Sequence, residues 1–144
     1  MTLKKSIGEG FGRGELYDIL KWNNGAPYQA SFTVGAESGT TIDVAIQLKD
    51  YLGNDLANAA PVFAYISSDA AGLELAASGC TTDAAGGTDG KLLVLVAKTA
   101  YLLVSEADGD IDVRFTDTGS SGFYLNLIMA NGKIATSGKI QFTA

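Results

Sequence analysis

The sequence predicts an all-β protein folded as an antiparallel β-sandwich, and three observations support this prediction. Apolar residues recur at every second position in several short stretches, as they do in strands with one buried face. Glycine is abundant, with 18 residues among 144, whereas proline occurs only twice, which suits many turns between short strands. No stretch predicts a long helix. We therefore expect one sandwich domain with eight or nine strands.

The N-terminal half of the predicted sandwich holds three strands, at residues 28–34, 41–49 and 62–67. The second is the clearest, because its apolar residues alternate with polar ones and would share one face. These apolar residues are Ile42, Val44, Ile46 and Leu48. Residues 50–54 (DYLGN) then supply turn-forming side chains and a glycine that tolerates positive φ. Pro61 fits the start of the third strand, where no backbone donor is needed.

The C-terminal half holds the remaining predicted strands, at residues 73–77, 91–96, 100–104, 111–117, 123–129 and 139–143. The stretch KLLVLV at 91–96 is almost continuously apolar, which indicates a strand covered on both faces. Asn131-Gly132 is the strongest hairpin signal in the chain. Residues 81–90 (TTDAAGGTDG) have the composition of a loop, and we expect no core residues there.

Residues 1–26 differ from the rest and predict an N-terminal extended arm with a short helical turn. Four glycines alternate with other residues in IGEGFGRG, which is too flexible for the interior of a helix or strand. Leu16, Ile19 and Leu20 then recur at helical spacing over one or two turns. Four of the ten basic residues lie in this segment, so the arm is basic and the body more acidic. We divide the chain into an arm at 1–26 and a sandwich at 27–144.

The composition argues against catalysis and against nucleic-acid binding. Ten basic residues against sixteen acidic ones give a formal charge of −6, whereas phosphate contacts need Lys and Arg. The absence of histidine removes the commonest general base and the imidazole metal ligand. Cys80 is the one cysteine, so no internal disulfide can form, and we predict an inert thiol. We expect no enzyme activity, no catalytic residues and no cofactor.

An acidic motif at residues 108–112 (DGDID) places three carboxylates at alternate positions, as the first ligands of a calcium loop are placed. The glycine and the glutamate that such a loop needs are replaced by Val113 and Gly119. An acidic hairpin turn is therefore the favoured interpretation. No metal site is predicted.

Three turn-and-strand signatures resemble those of bacterial immunoglobulin-like (Ig-like) domains over residues 28–144. They are DYLGN after an alternating strand, TDGK at 88–91 before an apolar strand, and the closing GKIQFT at 138–143. The order of a glycine-bearing arm and these strand segments is also similar to small structural proteins of tailed-phage head and tail modules. The resemblance implies an Ig-like β-sandwich and no catalytic residues to carry over.

The phage resemblance implies a capsid decoration or cement protein that binds the major capsid protein or another virion protein, as a homo-oligomer. The alternative is a receptor- or glycan-binding Ig-like module of a phage tail or fibre. The chain shows no signal segment and no apolar run long enough for a bilayer, so we expect assembly in the host cytoplasm, residence in the virion and no membrane partner. The arm residues expected to contact the partner are Leu3, Lys4, Lys5, Phe11, Arg13, Leu16 and Trp22.

Overall fold

The computed structural model describes residues 25–77 and 79–143, which form ten β-strands and no helix. The strands are β1 (Gln29–Val34), β2 (Thr41–Lys49), β3 (Pro61–Ser67), β4 (Ala85–Gly86), β5 (Lys91–Val96), β6 (Ala100–Val104), β7 (Asp110–Thr116), β8 (Gly122–Ile128), β9 (Ile134–Thr136) and β10 (Ile140–Gln141). Residues 1–24, which hold most of the predicted arm and its helical turn, lie outside the described residues.

The strands form two sheets that pack face to face. The first sheet has the order β1-β2-β7-β4, and the second has the order β10-β8-β3-β6-β5, with β9 also paired to β8. Every strand pair is antiparallel. The predicted all-β, Ig-like antiparallel sandwich is therefore confirmed for the described part of the chain.

The hydrophobic core lies between the two sheets. The alternating apolar residues of β2 all point inwards and are at most 2% exposed, as their spacing predicts. Phe115 and Phe123 contact each other edge to face, with ring centroids 5.1 Å apart, and Phe123 stacks on Phe142 at 6.3 Å. Phe142 follows β10 and is fully buried. The last described residues therefore complete the core.

Two predicted turns are confirmed. Asp50 Oδ1 accepts hydrogen bonds from the backbone N–H groups of Leu52 (2.9 Å) and Asn54 (3.0 Å) at the end of β2. Gly53, between them, has a φ of +85°, a conformation that side chains disfavour. The Asn131-Gly132 signal likewise marks the turn between β8 and β9, where the Gly132 N–H donates to the carbonyl oxygen of Met129, the residue after β8, at 2.9 Å.

The strand predicted at residues 73–77 is wrong. Only an isolated bridge between Leu75 and Ser67 occurs there. The Asp69 carboxylate accepts hydrogen bonds from the backbone N–H groups of Leu73 and Glu74, so these donors are paired with a side chain instead of a neighbouring strand. Leu73 is 83% exposed and does not reach the core.

The segment at 81–90, predicted as a loop without core residues, does contribute to the fold. Ala84 is buried, and its N–H donates to Tyr101 Oη at 3.3 Å. The next two residues form β4 against β7. Small residues such as Ala85 and Gly86 fit where the edges of the two sheets come close. The sequence does not predict β4, because a strand of two residues is too short to show periodicity. For the same reason β9, which has three residues, is missing from the sequence prediction.

The strand predicted at residues 91–96 has the bounds of β5, but the prediction that both of its faces are covered is wrong. β5 pairs with β6 alone and is an edge strand of the second sheet. Its last four residues, Leu93 to Val96, are 40% to 59% exposed. A run of apolar residues shows that a strand is hydrophobic, but it does not show how many strands lie beside it. This explains the error.

A buried carboxylate fixes the segment between β7 and β8. Asp117 is 6% exposed, and its two oxygens accept hydrogen bonds from Ser121 Oγ (2.5 Å) and Thr81 Oγ1 (2.6 Å). These bonds lower the pKa of the Asp117 carboxyl to about 2. The same network joins the segment to residues 79–81, because Ser121 Oγ also contacts the Gly79 carbonyl oxygen at 2.9 Å.

We expect Asp117 to carry part of the acid sensitivity of stability. Because its pKa is lowered from 3.8 to about 2, its contribution is complete above about pH 4 and is lost as the pH falls through about 2. Asp117→Asn should reduce the melting temperature at neutral pH and flatten its decline in acid, measured by circular dichroism. Ser121→Ala, which removes the strongest donor, should move the decline to higher pH. An Asp117→Asn protein with the wild-type acid profile would contradict this role.

Candidate binding surface

The outer face of the second sheet carries a row of apolar side chains that crosses five strands. The pairing registers place Ile134 of β9 beside Ile128 of β8, Ile128 beside Phe63 of β3, Phe63 beside Leu102 of β6, and Leu102 beside Leu93 of β5. Directly paired residues point to the same face of a sheet. We call these five residues the apolar row.

The apolar row is accessible over most of its length. Phe63 and Leu93 are 56% and 59% exposed, and the two isoleucines at the other end are 44% and 42% exposed. Among the described strand residues of the second sheet, Lys91 alone carries a charge. A contiguous exposed apolar surface of this kind is typical of an interaction site.

Polar residues beside the row join neighbouring strands of the sheet by hydrogen bonds. Asn126 of β8 is fully buried; its Nδ2 donates to Ser67 Oγ at 2.8 Å, and its Oδ1 accepts from Thr136 Oγ1 at 2.8 Å. Tyr65 Oη donates to the Gly72 carbonyl oxygen at 2.6 Å. Since these bonds tie β8 to β3 and β9, the row is presented on a fixed framework.

The outer face of the first sheet is polar and holds a groove of about 560 Å³. Ala45, Gly86 and Gly87 line it with small residues, while Arg114 and Asp43 form a charged side. The Arg114 guanidinium donates two hydrogen bonds to the Asp43 carboxylate, at 2.6 and 2.8 Å. Those bonds lower the pKa of the Asp43 carboxyl and raise the pKa of the Arg114 guanidinium.

The DGDID motif begins in a turn, as predicted, at Asp108 and Gly109, and its last three residues, Asp110 to Asp112, belong to β7. The Gly109 N–H donates to the Glu106 carbonyl oxygen at 3.0 Å, and this turn connects β6 to β7. Burial, together with the charges of Asp108 and Asp89, raises the pKa of the Asp110 carboxyl. No group of three or more potential ligands in residues 25–77 and 79–143 is arranged to hold a metal ion.

The thiol of Cys80 has the environment predicted from the sequence. The residue is 7% exposed, and burial and the charge of Asp117 raise the pKa of the thiol to about 12. The reactive thiolate is therefore scarce at neutral pH.

The predicted partner-binding residues of the arm all lie outside the described residues, so that prediction stays open. The residues concerned are Leu3, Lys4, Lys5, Phe11, Arg13, Leu16 and Trp22. The apolar row is missing from the sequence prediction, although a signal for it exists. In PVFAYIS (β3) and AYLLV (β6), nearly every residue is apolar, so both faces of these strands are apolar. Strands of this kind are expected to have both faces covered, whereas here the outer face is exposed.

No protein-family model and no curated protein matches this sequence. Among solved structures, the chain is similar to a cohesin module from a Clostridium perfringens family 33 glycoside hydrolase. The two are 13% identical, and the match covers 81% of this chain and 96% of that module with a TM-score of 0.44. No helix of the described residues is long and apolar enough to cross a membrane.

Proposed function

We propose that this chain is a non-enzymatic structural protein of a phage particle, which decorates or cements the capsid. It binds the major capsid protein or another virion protein, and the apolar row is the docking surface on the sandwich. The row is the observation that carries the proposal, because exposed apolar residues aligned across five strands have no role in the core of this domain. The absence of histidine and the buried state of the one cysteine favour binding over catalysis.

The energetics of the row suit attachment to a protein shell. Fully burying an exposed large apolar side chain contributes about 1.5–3 kcal/mol. Phe63 is 56% exposed, so covering it would contribute roughly half of that. Aromatic residues near the middle of an interface often contribute most of the affinity, and Phe63 is the central residue of the row. Repeated subunits on one shell then hold each other in place even when each single contact is weak.

The N-terminal arm joins the body close to the row. Asn58 Nδ2 donates to the Gly25 carbonyl oxygen at 3.0 Å, and the Ala130 N–H donates to the Pro27 carbonyl oxygen at 2.9 Å. Ala130 lies two residues after Ile128, so this junction is within about 7 Å of the backbone of Ile128, the second residue of the row. The proposal extends to the arm: starting from this junction, it would contact the same partner as the row, and its basic residues would meet acidic groups of the shell.

A second candidate function is favoured by the groove on the first sheet. Its lining combines the carboxylate of Asp112 and the ion pair described above with hydroxyl groups of Thr33 and Thr88. Such groups hydrogen-bond sugar hydroxyls, which suits a receptor- or glycan-binding module of a tail or fibre. The groove lining contains no aromatic residue for stacking on a sugar ring, so we rank this function second.

The proposal is tested on particles purified from cells that carry the gene. We expect an antibody against the chain to label heads in electron micrographs, and the purified chain to bind heads that lack it. Phe63→Ser should weaken this binding at least about tenfold, or about 1.4 kcal/mol. Leu73→Ser, at an exposed leucine outside the row, should bind as the wild type does.

Two outcomes would contradict attachment through the row. The first is absence of the chain from purified particles. The second is binding that survives Phe63→Ser and is lost in Asp112→Asn, which would favour the groove and the alternative function.

A further inference from the structure

The free edge of β5 is unusual among the edges of this sandwich. Edge strands in soluble proteins are commonly very short or carry charged residues or proline, because their unpaired backbone groups otherwise recruit another strand. β4 and β10 have two residues each, whereas the edge strands β1 and β5 have six each. β5 is the more apolar of these two long edges, with five apolar residues against three in β1. β4 lies close to β5 near Leu92. If Gly86 of β4 carried a Cβ atom, that atom would lie 3.8 Å from the backbone nitrogen of Leu92. From Leu93 to Val96 the side chains are 40% to 59% exposed, and no other strand of residues 25–77 and 79–143 pairs with this edge. The pairing with β6 shifts register between Val94 and Val96, so the regular part of the edge lies at Lys91–Val94.

We infer that this edge is the interface with a second copy of the chain, in which two β5 strands pair antiparallel across a two-fold axis at Leu93. Directly opposite residues of an antiparallel pair face the same side of the sheet. Leu93 faces outwards with Leu102, and Leu92 and Val94 face inwards with Leu103 and Tyr101. If Leu93 lies opposite Leu93 of the second copy, then Leu92 lies opposite Val94 of the second copy. Outward-facing residues then pair with outward-facing ones, and inward-facing residues pair with inward-facing ones.

This arrangement joins the apolar rows of the two copies. Leu93 is the last residue of the row, at the edge of the sheet. With Leu93 on the axis, the row continues through Leu93 and Leu102 of the second copy and crosses ten strands instead of five. Such a contact is isologous and closes on itself, so it forms a dimer and not a filament.

The charges at the two ends of β5 are complementary in this arrangement. The end near Lys91 adjoins Asp89 and Glu106, whose Oε1 accepts a hydrogen bond from the Gly90 N–H at 3.1 Å. The other end leads into the turn that carries Lys98, whose backbone N–H donates to the Asp83 carboxylate, while its ammonium group is the positive charge at this end. Antiparallel pairing brings the Lys98 turn of each copy alongside Asp89 of the other. The two Lys91 side chains lie four residues apart along the paired strands, or about 13 Å, so they repel weakly at physiological ionic strength.

The inference goes beyond the proposed function and is tested on the purified full-length chain alone. Sedimentation equilibrium at several concentrations should give a dimer. Leu93→Lys sets two like charges opposite each other on the axis and should raise the dimer dissociation constant at least about a hundredfold. Leu73→Lys makes the same change at another exposed leucine and should leave the dimer intact.

Two further variants keep the test independent of that substitution. Leu93→Cys should form a disulfide-linked dimer on mild oxidation, because paired Cα atoms of antiparallel strands lie within disulfide range, whereas Leu73→Cys and the wild type, with its buried Cys80, should not. Lys98→Glu should weaken the dimer, and adding Asp89→Lys should restore it.

The outcomes separate this inference from the proposed function. Phe63 lies two strands away from the axis, so Phe63→Ser should lose shell binding and keep the dimer. A wild-type chain that stays monomeric at all concentrations, or that forms a trimer, overturns the inference, as does a dimer that survives Leu93→Lys. None of these results bears on whether the chain is found on particles.

Discussion

Ile46→Asp is expected to unfold the protein. Ile46 is 2% exposed at the centre of the first sheet, where β2 pairs with Phe32 of β1 on one side and Ile111 of β7 on the other. A carboxylate there would lose its hydration and find no partner, since the surrounding core is apolar. We expect a loss of about 4 kcal/mol or more, against a total stability of about 5–15 kcal/mol for a typical domain.

The neighbouring residue provides the control for this variant. Ala45 is exposed on the outer face of the same strand, so Ala45→Lys adds a charge one residue away without burying it. We expect this variant to keep the wild-type far-ultraviolet circular dichroism spectrum and a cooperative thermal transition. A folded Ile46→Asp protein with wild-type stability would mean that the faces of β2 are reversed.

Phe142→Ala is expected to have the second largest effect, a loss of about 3–5 kcal/mol in the free energy of unfolding. Phe142 is fully buried and stacks on Phe123, which in turn contacts Phe115 of the other sheet. Its removal would leave a cavity beside the Phe123 ring. The Phe142 N–H, which donates to the Ser121 carbonyl oxygen at 2.9 Å, is unchanged by the substitution. The loss therefore reports packing and not backbone pairing, and urea unfolding measures it.

Phe63→Ala makes the same substitution on the surface. Phe63 is 56% exposed in the apolar row, so its truncation should change the free energy of unfolding by less than about 1 kcal/mol. Equal effects of the two variants would show that the C-terminal residues do not complete the core as described. A large effect of Phe63→Ala alone would mean that the row is structural and would weaken its assignment as a docking surface.

Local patterns predicted much of the fold, because each strand is a short-range feature. The alternation in residues 41–49 gives the bounds of β2 and the face it buries, and both are confirmed. The turn at residues 50–54 follows from the chemistry of Asp50 and Gly53 and is confirmed as well. The strand predicted at 73–77 failed because the side chain of Asp69 captures the backbone donors, which no periodicity of apolar residues can reveal.

Local patterns of this kind could not predict the candidate docking surface. The apolar row unites residues from β3, β5, β6, β8 and β9, which are up to about seventy positions apart in the sequence. Only the registers of the second sheet bring them into line. The arm remains the partner-binding hypothesis drawn from the sequence, and the row is the one drawn from the structure.

The sequence by itself determined that this protein is an all-β sandwich with few means of catalysis, since alternation, turn residues and the lack of histidine are local or compositional facts. Tertiary structure alone decided which residues of the continuously apolar strands are covered. Leu103 of β6 and Leu93 of β5 both lie in such strands, yet Leu103 is fully buried and Leu93 is 59% exposed. The physical reason is that burial depends on the number of neighbouring strands and on the facing sheet, and both are set by long-range pairing.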